Sequence, residues 1–324
     1  MREMFMSSRR EGTGMGAIEL EGLTKHYGAV VGIDDLAFSV EGGEIFGFLG
    51  PNGAGKTTAI RTLLGLLSPT SGTARVLGAD VRDEGALVEA RRRVGYLPAD
   101  LGFDEGATGE QILDLHGRIK GDSRREALLA RFDPPIERPI REYSTGNEQM
   151  LGIVQAFMHD PDLVIMDEPT SGLDPLKQER FHEFLAEESA RGTTVFFSSH
   201  VLSEVRQVCD RVGILRDGRL AALEDVETLL SRGGKRVRIR VEGSLDPTDL
   251  ALPGAFDAES VGDALAFTYA GEYDALLSRL AELDVIDVEI GEPPLEDVFM
   301  HYYGEEGETD DEGSTARRAE VADA

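Results

Sequence analysis

The glycine-rich segment "GPNGAGKTT", residues 50–58, constrains the fold of this chain more than any other feature. It follows the apolar run "EIFGFL" and precedes "AIRTLLGLL", whose apolar residues recur at helical spacing. Glycines let the backbone curl so that successive N–H groups point inward, and the following helix adds the positive end of its dipole. A strand, a glycine loop and a helix in this order predict an anion site in an α/β fold.

The spacing of Gly50, Gly55, Lys56 and Thr57 is that of the Walker A motif. We expect Lys56 to lie against the β and γ phosphates of ATP and Thr57 to hold Mg²⁺ through its hydroxyl. A glycine-rich turn without a ligand is the alternative, and the strand and helix on either side disfavour it. The loop residues predicted to bind ATP are Gly50, Pro51, Asn52, Gly53, Ala54, Gly55, Lys56, Thr57 and Thr58.

Two carboxylates follow a second apolar run, "LVIM", residues 163–166. The run predicts a buried strand that delivers Asp167 to its carboxyl end, where ligands collect in open α/β sheets. Asp167 is predicted to support the Mg²⁺ shell, and Glu168 to accept a proton from the attacking water as the catalytic base. A solvated pair at the end of a strand is the alternative, which the phosphate loop disfavours.

From about residue 17 to residue 230 the chain resembles the nucleotide-binding subunit of an ABC transporter, and the order of its motifs carries the resemblance. "YSTGNEQM" resembles the signature loop of that family, and its Ser144 lies 23 residues before Asp167. "SGLDP" resembles the D-loop. His200 lies 32 residues after Glu168 and resembles the switch histidine. Tyr27, in "LTKHYG", resembles the aromatic residue that stacks on adenine.

The resemblance implies a homodimer, or a dimer with a like subunit, that sandwiches two ATP molecules. The signature loop of one subunit would act on the ATP of its partner, with Ser144 and Gly146 completing the site. Thr145 and Asn147 depart from the family's commonest glycine and glutamine, so we expect weaker phosphate contacts from them. The residues assigned in this way are Ser144, Thr145, Gly146, Asn147 and Gln149 in the signature loop and Ser171, Gly172, Leu173 and Asp174 in the D-loop.

The chain departs from the family at the position that usually holds a glutamine or a glutamate to touch Mg²⁺ and the attacking water. Ala99 stands there, after "VGYLP", and Asp100 follows it. An alanine side chain coordinates nothing. Either Asp100 substitutes through a one-residue shift, as a candidate metal ligand, or a water fills the gap. The catalytic rate and the coupling to a membrane subunit both depend on which of these holds.

Charge and composition narrow the class of protein. The 61 acidic residues against 33 basic ones give a net charge of −28, which repels nucleic acid and disfavours it as a partner. The acidic excess, with five lysines, is typical of proteins from salt-loving organisms. The single cysteine, Cys209, excludes an internal disulfide framework and fits a reducing cytosol. No run is long and apolar enough to span a membrane, so another chain must cross it if this protein works there. The resemblance implies that this other chain is a separate integral membrane permease, with the present chain peripheral on the inner face of the cell membrane.

Changes in pattern predict the organisation of the chain. A flexible leader, 1–15, precedes a nucleotide-binding domain, 16–232, with a mainly parallel sheet, an antiparallel β subdomain and a helical subdomain at about 100–160. A small α+β accessory domain, 233–303, and an acidic disordered tail, 304–324, complete the prediction. "EPPLEDVFMHYYG" resembles the end of exporter subunits that handle drugs, antibiotics, lipids or sodium, or is an amphipathic closing helix of Leu295, Val298, Phe299 and Tyr302.

Two other functions share these motifs. A soluble ABC ATPase of translation or DNA repair is disfavoured because this chain has one cassette, one cysteine and no heptad run. A nucleotide-sensing subunit with little turnover is the other alternative, and Ala99 favours it. The predicted function is therefore an ATPase that powers transport, in the direction of export, of an unassigned substrate.

Overall fold

The computed structural model describes residues 16–228, 234–243, 246–247 and 250–291. Its contacts divide the chain into two units between Val226 and Glu227, near the boundary at 232 that the sequence predicts. The predicted leader, the acidic tail and the segment with Leu295, Val298, Phe299 and Tyr302 lie outside the described residues. Among the described residues, we find no helix with the length and apolarity needed to cross a membrane.

The strands and helices of the first unit alternate along much of the chain. Its strands are β1 Ile18–Tyr27, β2 Val30–Val40, β3 Ile45–Leu49, β4 Ser71–Val76, β5 Ala79–Asp80, β6 Val94–Leu97, β7 Leu163–Asp167, β8 Thr194–Ser199, β9 Arg211–Arg216 and β10 Arg219–Asp225. Its helices are α1 Lys56–Leu63, α2 Glu84–Arg91, α3 Gly109–Lys120, α4 Arg125–Phe132, α5 Thr145–Phe157, α6 Pro175–Arg191 and α7 Leu202–Val208.

A six-stranded sheet, in the order β10-β9-β3-β8-β7-β6, is the centre of this unit. All its neighbouring strands are parallel except the pair of β9 and the edge strand β10. Every residue of β3, β7 and β8 is buried, as expected for parallel strands covered on both faces. The predicted mainly parallel sheet is confirmed, and its register brings Leu49, Asp167 and Ser199 to the same edge.

An antiparallel sheet, in the order β2-β1-β4-β5, forms the predicted β subdomain. The two sheets share a core that contains stacked aromatic rings. The ring centroids of Phe38 and Phe46 lie 5.3 Å apart, and those of Phe46 and Phe196 lie 5.7 Å apart. Such offset pairs add to the stabilisation from the burial of apolar surface.

The predicted helical subdomain consists of α3, α4, a short 3₁₀ helix at Ile140–Glu142, and α5. Local sequence explains where its helices begin. Thr108 and Gln111 form a reciprocal capping box at the start of α3. Ser144 caps α5 by accepting a hydrogen bond from the N–H of Asn147 at 3.3 Å. The hydroxyl of Ser144 is thus fixed at the positive end of a 13-residue helix.

The second unit is an α+β domain, as predicted. Its strands β11 Lys235–Val241, β12 Ala255–Val261, β13 Ala264–Tyr269 and β14 Val285–Gly291 form an antiparallel sheet in the order β12-β13-β11-β14. Helix α8, Tyr273–Ala281, contributes Leu276 to a separate core with Val237, Ile239 and Phe267. This domain therefore has an apolar core of its own.

Candidate active site

A cleft of about 330 Å³ opens at the carboxyl edge of the central sheet. It brings together most of the predicted phosphate loop and the two carboxylates that end β7. The residues that line it are Pro51, Asn52, Gly53, Gly55, Lys56, Thr57, Thr58, Ala99, Asp167 and Glu168. Ala54, within the loop, is buried. Its N–H donates to the carbonyl oxygen of Pro51, and its carbonyl oxygen accepts from the N–H of Gly218.

The phosphate loop needs glycine at its bend. Gly53 and Gly55 have φ values of 84° and 108°, in the region that favours glycine. A Cβ on Gly55 would lie 2.3 Å from the carbonyl oxygen of Gly32. Gly55 is also the N-cap residue of α1, and no side chain caps the first N–H groups of that helix. These groups suit a phosphate, since helix N-termini bind anions.

Lys56 is buried in the cleft, with 6% of its side chain exposed. Its Nζ donates to the carbonyl oxygens of Gly50, at 2.6 Å, and Pro51, at 3.3 Å. It also lies 3.2 Å from Oε1 of Glu168. The ammonium group thus lies between the loop and the end of β7, where a phosphate oxygen could replace the carboxylate as its partner.

Asp167 is nearly completely buried, and both of its carboxylate oxygens accept hydrogen bonds. The hydroxyl of Thr57 donates to Oδ2 at 2.7 Å, and the hydroxyl of Ser198 donates to Oδ1 at 2.5 Å. Thr57 and Asp167, the two predicted Mg²⁺ ligands, therefore lie in hydrogen-bond contact, and both offer hard oxygen atoms of the kind that Mg²⁺ prefers. Ser198 was not predicted from the sequence. The signal available was a hydroxyl in "FFSSH" at the end of a strand parallel to β7.

Glu168 and His200, the predicted base and switch histidine, lie in contact with each other. Nδ1 of His200 is 2.8 Å from Oε2 of Glu168, and about half of the histidine side chain is exposed. Glu168 has a φ of 51°, which is rare for a residue other than glycine. Its N–H donates to the hydroxyl of Ser198 at 3.1 Å. The strained turn is thus held by Ser198, and residues held in this way cluster at active sites.

Three predicted residues have different environments: Tyr27, and Ala99 and Asp100, where the chain departs from the family pattern. Tyr27 ends β1 with an exposed side chain, and a Cβ added to Gly32 would lie 2.9 Å from Cε2 of its ring and 3.0 Å from Cγ2 of Thr58. Ala99 lines the cleft, whereas its neighbour Asp100 is not among the lining residues. The carboxylate of Asp100 instead accepts from the N–H of Gly102 at 3.1 Å. Asp100 thus closes a local turn, and no carboxylate stands at position 99.

The signature loop packs on the D-loop of the same chain. Ser144 and Thr145 are exposed, whereas Gly146 is buried where an added Cβ would lie 3.0 Å from the carbonyl oxygen of Gly172. Gln149 differs from the expectation that it reaches a partner's ATP. It is buried, and its Nε2 donates to the carbonyl oxygen of Pro169 at 2.7 Å, because the helical period turns position 149 inward.

The D-loop residues connect β7 to α6. The N–H of Ser171 donates to the carbonyl oxygen of Glu168, and Leu173 is buried. Gly172 has a φ of 76°. Asp174 caps α6 by accepting from the N–H of Lys177 at 3.0 Å. The segment is therefore a hydrogen-bonded turn between the catalytic edge and a helix of 17 residues.

Comparison with known proteins agrees with this geometry. Residues 33–171 match the family described as ABC transporter. The chain is 35% identical over 303 residues to the Nod factor export ATP-binding protein I of Mesorhizobium japonicum, covering 90% of this chain and 88% of that protein. It is 33% identical over 302 residues to the bacitracin transport ATP-binding protein BcrA of Bacillus licheniformis, covering 89% and 97%. The chain belongs to the ATP-binding subunits of ABC transporters.

Solved structures support the same family and fold. An ATP-binding subunit of an ABC transporter is 32% identical, with a TM-score of 0.60, over 66% of this chain and 91% of that one. A dimeric ATP-binding cassette in a post-hydrolysis state, bound to ADP and Pi, shares the fold with a TM-score of 0.60 at 22% identity, over 64% and 98%. This ABC transporter subunit is thus a P-loop ATPase.

Proposed function

We propose that this subunit hydrolyses ATP to drive export of a substrate through a separately encoded membrane permease. The contact set of Lys56, Glu168 and His200 carries the proposal, because it joins the phosphate loop, a base and a γ-phosphate sensor at one point. Two relatives are named for Nod factor export and bacitracin transport. Both names support a role in transport, and the first also supports export as its direction. They do not favour a soluble ATPase of translation or repair.

The cleft fits Mg-ATP. Thr57 and Asp167 would hold Mg²⁺, since their oxygens already face one another at 2.7 Å and both are hard ligands. When bound, the ion neutralises charge on the β and γ phosphates. Lys56 would exchange Glu168 for a phosphate oxygen, and the uncapped start of α1 would bind the β-phosphate. Tyr27 would stack on adenine with its exposed ring.

This exchange frees the base. In the structure Glu168 is engaged through Oε1 with Lys56 and through Oε2 with His200. Once Lys56 binds phosphate, Oε1 is available to orient the attacking water and accept its proton. His200 keeps Oε2 and would contact the γ-phosphate from the neighbouring strand. Hydrolysis then proceeds by in-line attack, with positioning and charge neutralisation as the sources of catalysis.

The site is completed by a second copy or a like subunit. Ser144 and Thr145 are exposed at the start of α5, so a hydroxyl and a helix N-terminus are available to a partner's γ-phosphate. ATP then closes the dimer, and its hydrolysis opens it, because only the triphosphate binds both surfaces. Docking on a permease would keep the dimer at the inner face of the membrane.

Two measurements on the purified chain test the proposal. Glu168→Gln should abolish steady-state phosphate release, whereas the exposed Glu126→Gln should leave it unchanged. With saturating Mg-ATP, light scattering should find Glu168→Gln as a dimer, and adding Ser144→Glu should restore the monomer by opposing phosphate with charge. Wild-type turnover no higher than that of Glu168→Gln would favour the nucleotide sensor. A monomeric Glu168→Gln under these conditions would exclude the composite site.

We also propose that the acidic surface adapts this chain to high salt. The net charge of −28 makes the folded state repel itself, and the Debye length falls from about 30 Å at 0.01 M to about 3 Å at 1 M salt. The thermal midpoint should therefore rise as KCl increases from millimolar to molar. A midpoint that stays constant over that range would reject the salt adaptation without affecting the ATPase proposal.

A further inference from the structure

Behind the catalytic edge lies a buried carboxylate that the proposed reaction does not use. Glu204 is in the first turn of α7, and it is 8% exposed. The hydroxyl of Thr170 donates to its Oε1 at 2.5 Å, and the hydroxyl of Ser199 donates to its Oε2 at 2.6 Å. No basic side chain pairs with it among the ion pairs of the described residues. Burying a charge in this way is costly, so a leucine would be the more stable choice at a position of mere packing.

The two hydroxyls lie next to the proposed base and sensor in the sequence. Thr170 lies two residues after Glu168, and Ser199 directly precedes His200. Both are almost fully buried. The carbonyl oxygen of Ser199 also accepts the N–H of Gly50, the first residue of the phosphate loop, at 3.1 Å. One carboxylate therefore joins the turn after β7 to the last residue of β8, and through Ser199 to the phosphate loop.

We infer that Glu204 is a positioning residue, which sets the distance between Glu168 and His200 by binding Thr170 and Ser199 with its two oxygens. The 2.8 Å contact between Glu168 and His200 depends on two separate strand ends keeping their relative position. Direct pairing of β7 and β8 ends at Asp167 and Ser198, and the last bond between them runs from the N–H of Glu168 to Ser198. Beyond that bond, Glu204 joins Thr170 to Ser199. The inference rests on the proposed roles of Glu168 and His200.

The variants to compare are Glu204→Ala, which removes both contacts, and Glu204→Gln, which keeps them because hydroxyls can donate or accept. Misplacing a reacting group by about 1 Å costs up to about 100-fold, so Glu204→Ala should lower kcat about tenfold, with KM for ATP changed by less than about twofold. Glu204→Gln should restore most of the rate. Glu44→Ala is the matched control. Glu44 is 7% exposed, so it is as buried as Glu204, and it directly precedes β3, at the end of that strand away from the cleft. It should lower the thermal midpoint and leave kcat of the folded chain unchanged.

Several results would overturn the inference. One is a kcat for folded Glu204→Ala within about twofold of the wild-type value, and another is a loss of kcat in Glu44→Ala that matches it. Should Glu204→Ala not fold, Thr170→Val removes one donor at almost constant shape, and an unchanged kcat in that variant would sink the idea. A fully active Glu168→Gln would instead refute the proposed function, so the two failures are distinguishable.

Discussion

A buried ion pair ties the helical subdomain to α6, and its loss should be expensive. Both Nη atoms of Arg124, in the turn before α4, donate to the carboxylate of Glu188 on α6, at 2.5 and 2.6 Å. Only 14% of the arginine and 2% of the glutamate side chain are exposed. Hydrogen bonding to Glu188 raises the pKa of Arg124 above its usual value. The pair is therefore bidentate, charge-assisted and shielded from solvent.

Removing the arginine leaves Glu188 buried without a cation. Its remaining side-chain contact is the hydroxyl of Thr193, at 3.5 Å. Breaking a buried pair in this way costs about 3–5 kcal/mol, against a total stability of about 5–15 kcal/mol. At about 2–4 °C per kcal/mol for a domain of this size, Arg124→Met should lower the midpoint of the first unit by about 10 °C. Adding Glu188→Leu should recover most of this loss, since two apolar residues need no partner.

The same two helices offer a matched control on their surface. Arg131 of α4 pairs with Glu187 of α6, but these side chains are 30% and 58% exposed. Exposed pairs contribute about 0–1 kcal/mol, so Arg131→Met should shift the midpoint by little. Calorimetry of the wild type and the three variants measures the difference in midpoint. If Arg124→Met costs no more than Arg131→Met, or if Glu188→Leu does not rescue it, burial is not what makes this pair important.

Two further predictions concern the cleft and the acid limit of stability. Ala99→Glu should raise kcat several-fold by supplying the missing carboxylate, whereas Asp100→Asn should leave turnover unchanged; the reverse order in a phosphate-release assay would assign Asp100 to the metal site. Burial lowers the pKa values of His116 and His159 to about 4, below the unfolded value of about 6.5. The unfolded chain thus binds protons that the folded chain does not as pH falls from 6.5 towards 4, so the free energy of unfolding should fall by about 1 kcal/mol per histidine at pH 5. In denaturant titrations at pH 7 and pH 5, a variant with glutamine at both positions should lose less free energy of unfolding than the wild type. An equal loss would refute the assignment of the effect to these two histidines.

The sequence was sufficient for the parallel sheet but not for all of the second unit. Strands β3, β7 and β8 read as apolar runs because both of their faces are buried. Strands β12 and β13 were not predicted. In β13 every residue is buried, yet Ala264, Ala266 and Thr268 alternate with larger side chains, so the strand lacks a clear apolar period. Burial there comes from its central place in the sheet, which local pattern does not contain.

Part of the candidate site could likewise be predicted from the sequence, and part could not. Lys56, Thr57, Asp167 and Glu168 could be placed because glycine spacing and strand ends have direct geometric consequences. The hydroxyl network of Thr170, Ser198, Ser199 and Glu204 could not, since it depends on the register between β7 and β8. Serine and threonine occur at many strand ends without such contacts. Gln149 was predicted to face a partner's ATP because of its place in the signature motif. The helical period, counted from the Ser144 cap, turns it inward instead.

The inward orientation of Gln149 connects the two nucleotide sites of the proposed dimer. Gln149 binds the carbonyl oxygen of Pro169, which follows Glu168 directly, and Gly146 packs on Gly172 in the same turn. The helix that begins after Ser144, the proposed contact to a partner's nucleotide, is therefore fixed to the turn that carries Glu168, the proposed base. A displacement of Glu168 when Lys56 exchanges partners must be accommodated within a packed contact where an added Cβ would meet an atom at 3.0 Å. Close-packed contacts of this kind transmit displacement instead of absorbing it, so occupation of one nucleotide site should shift the surface that completes the other.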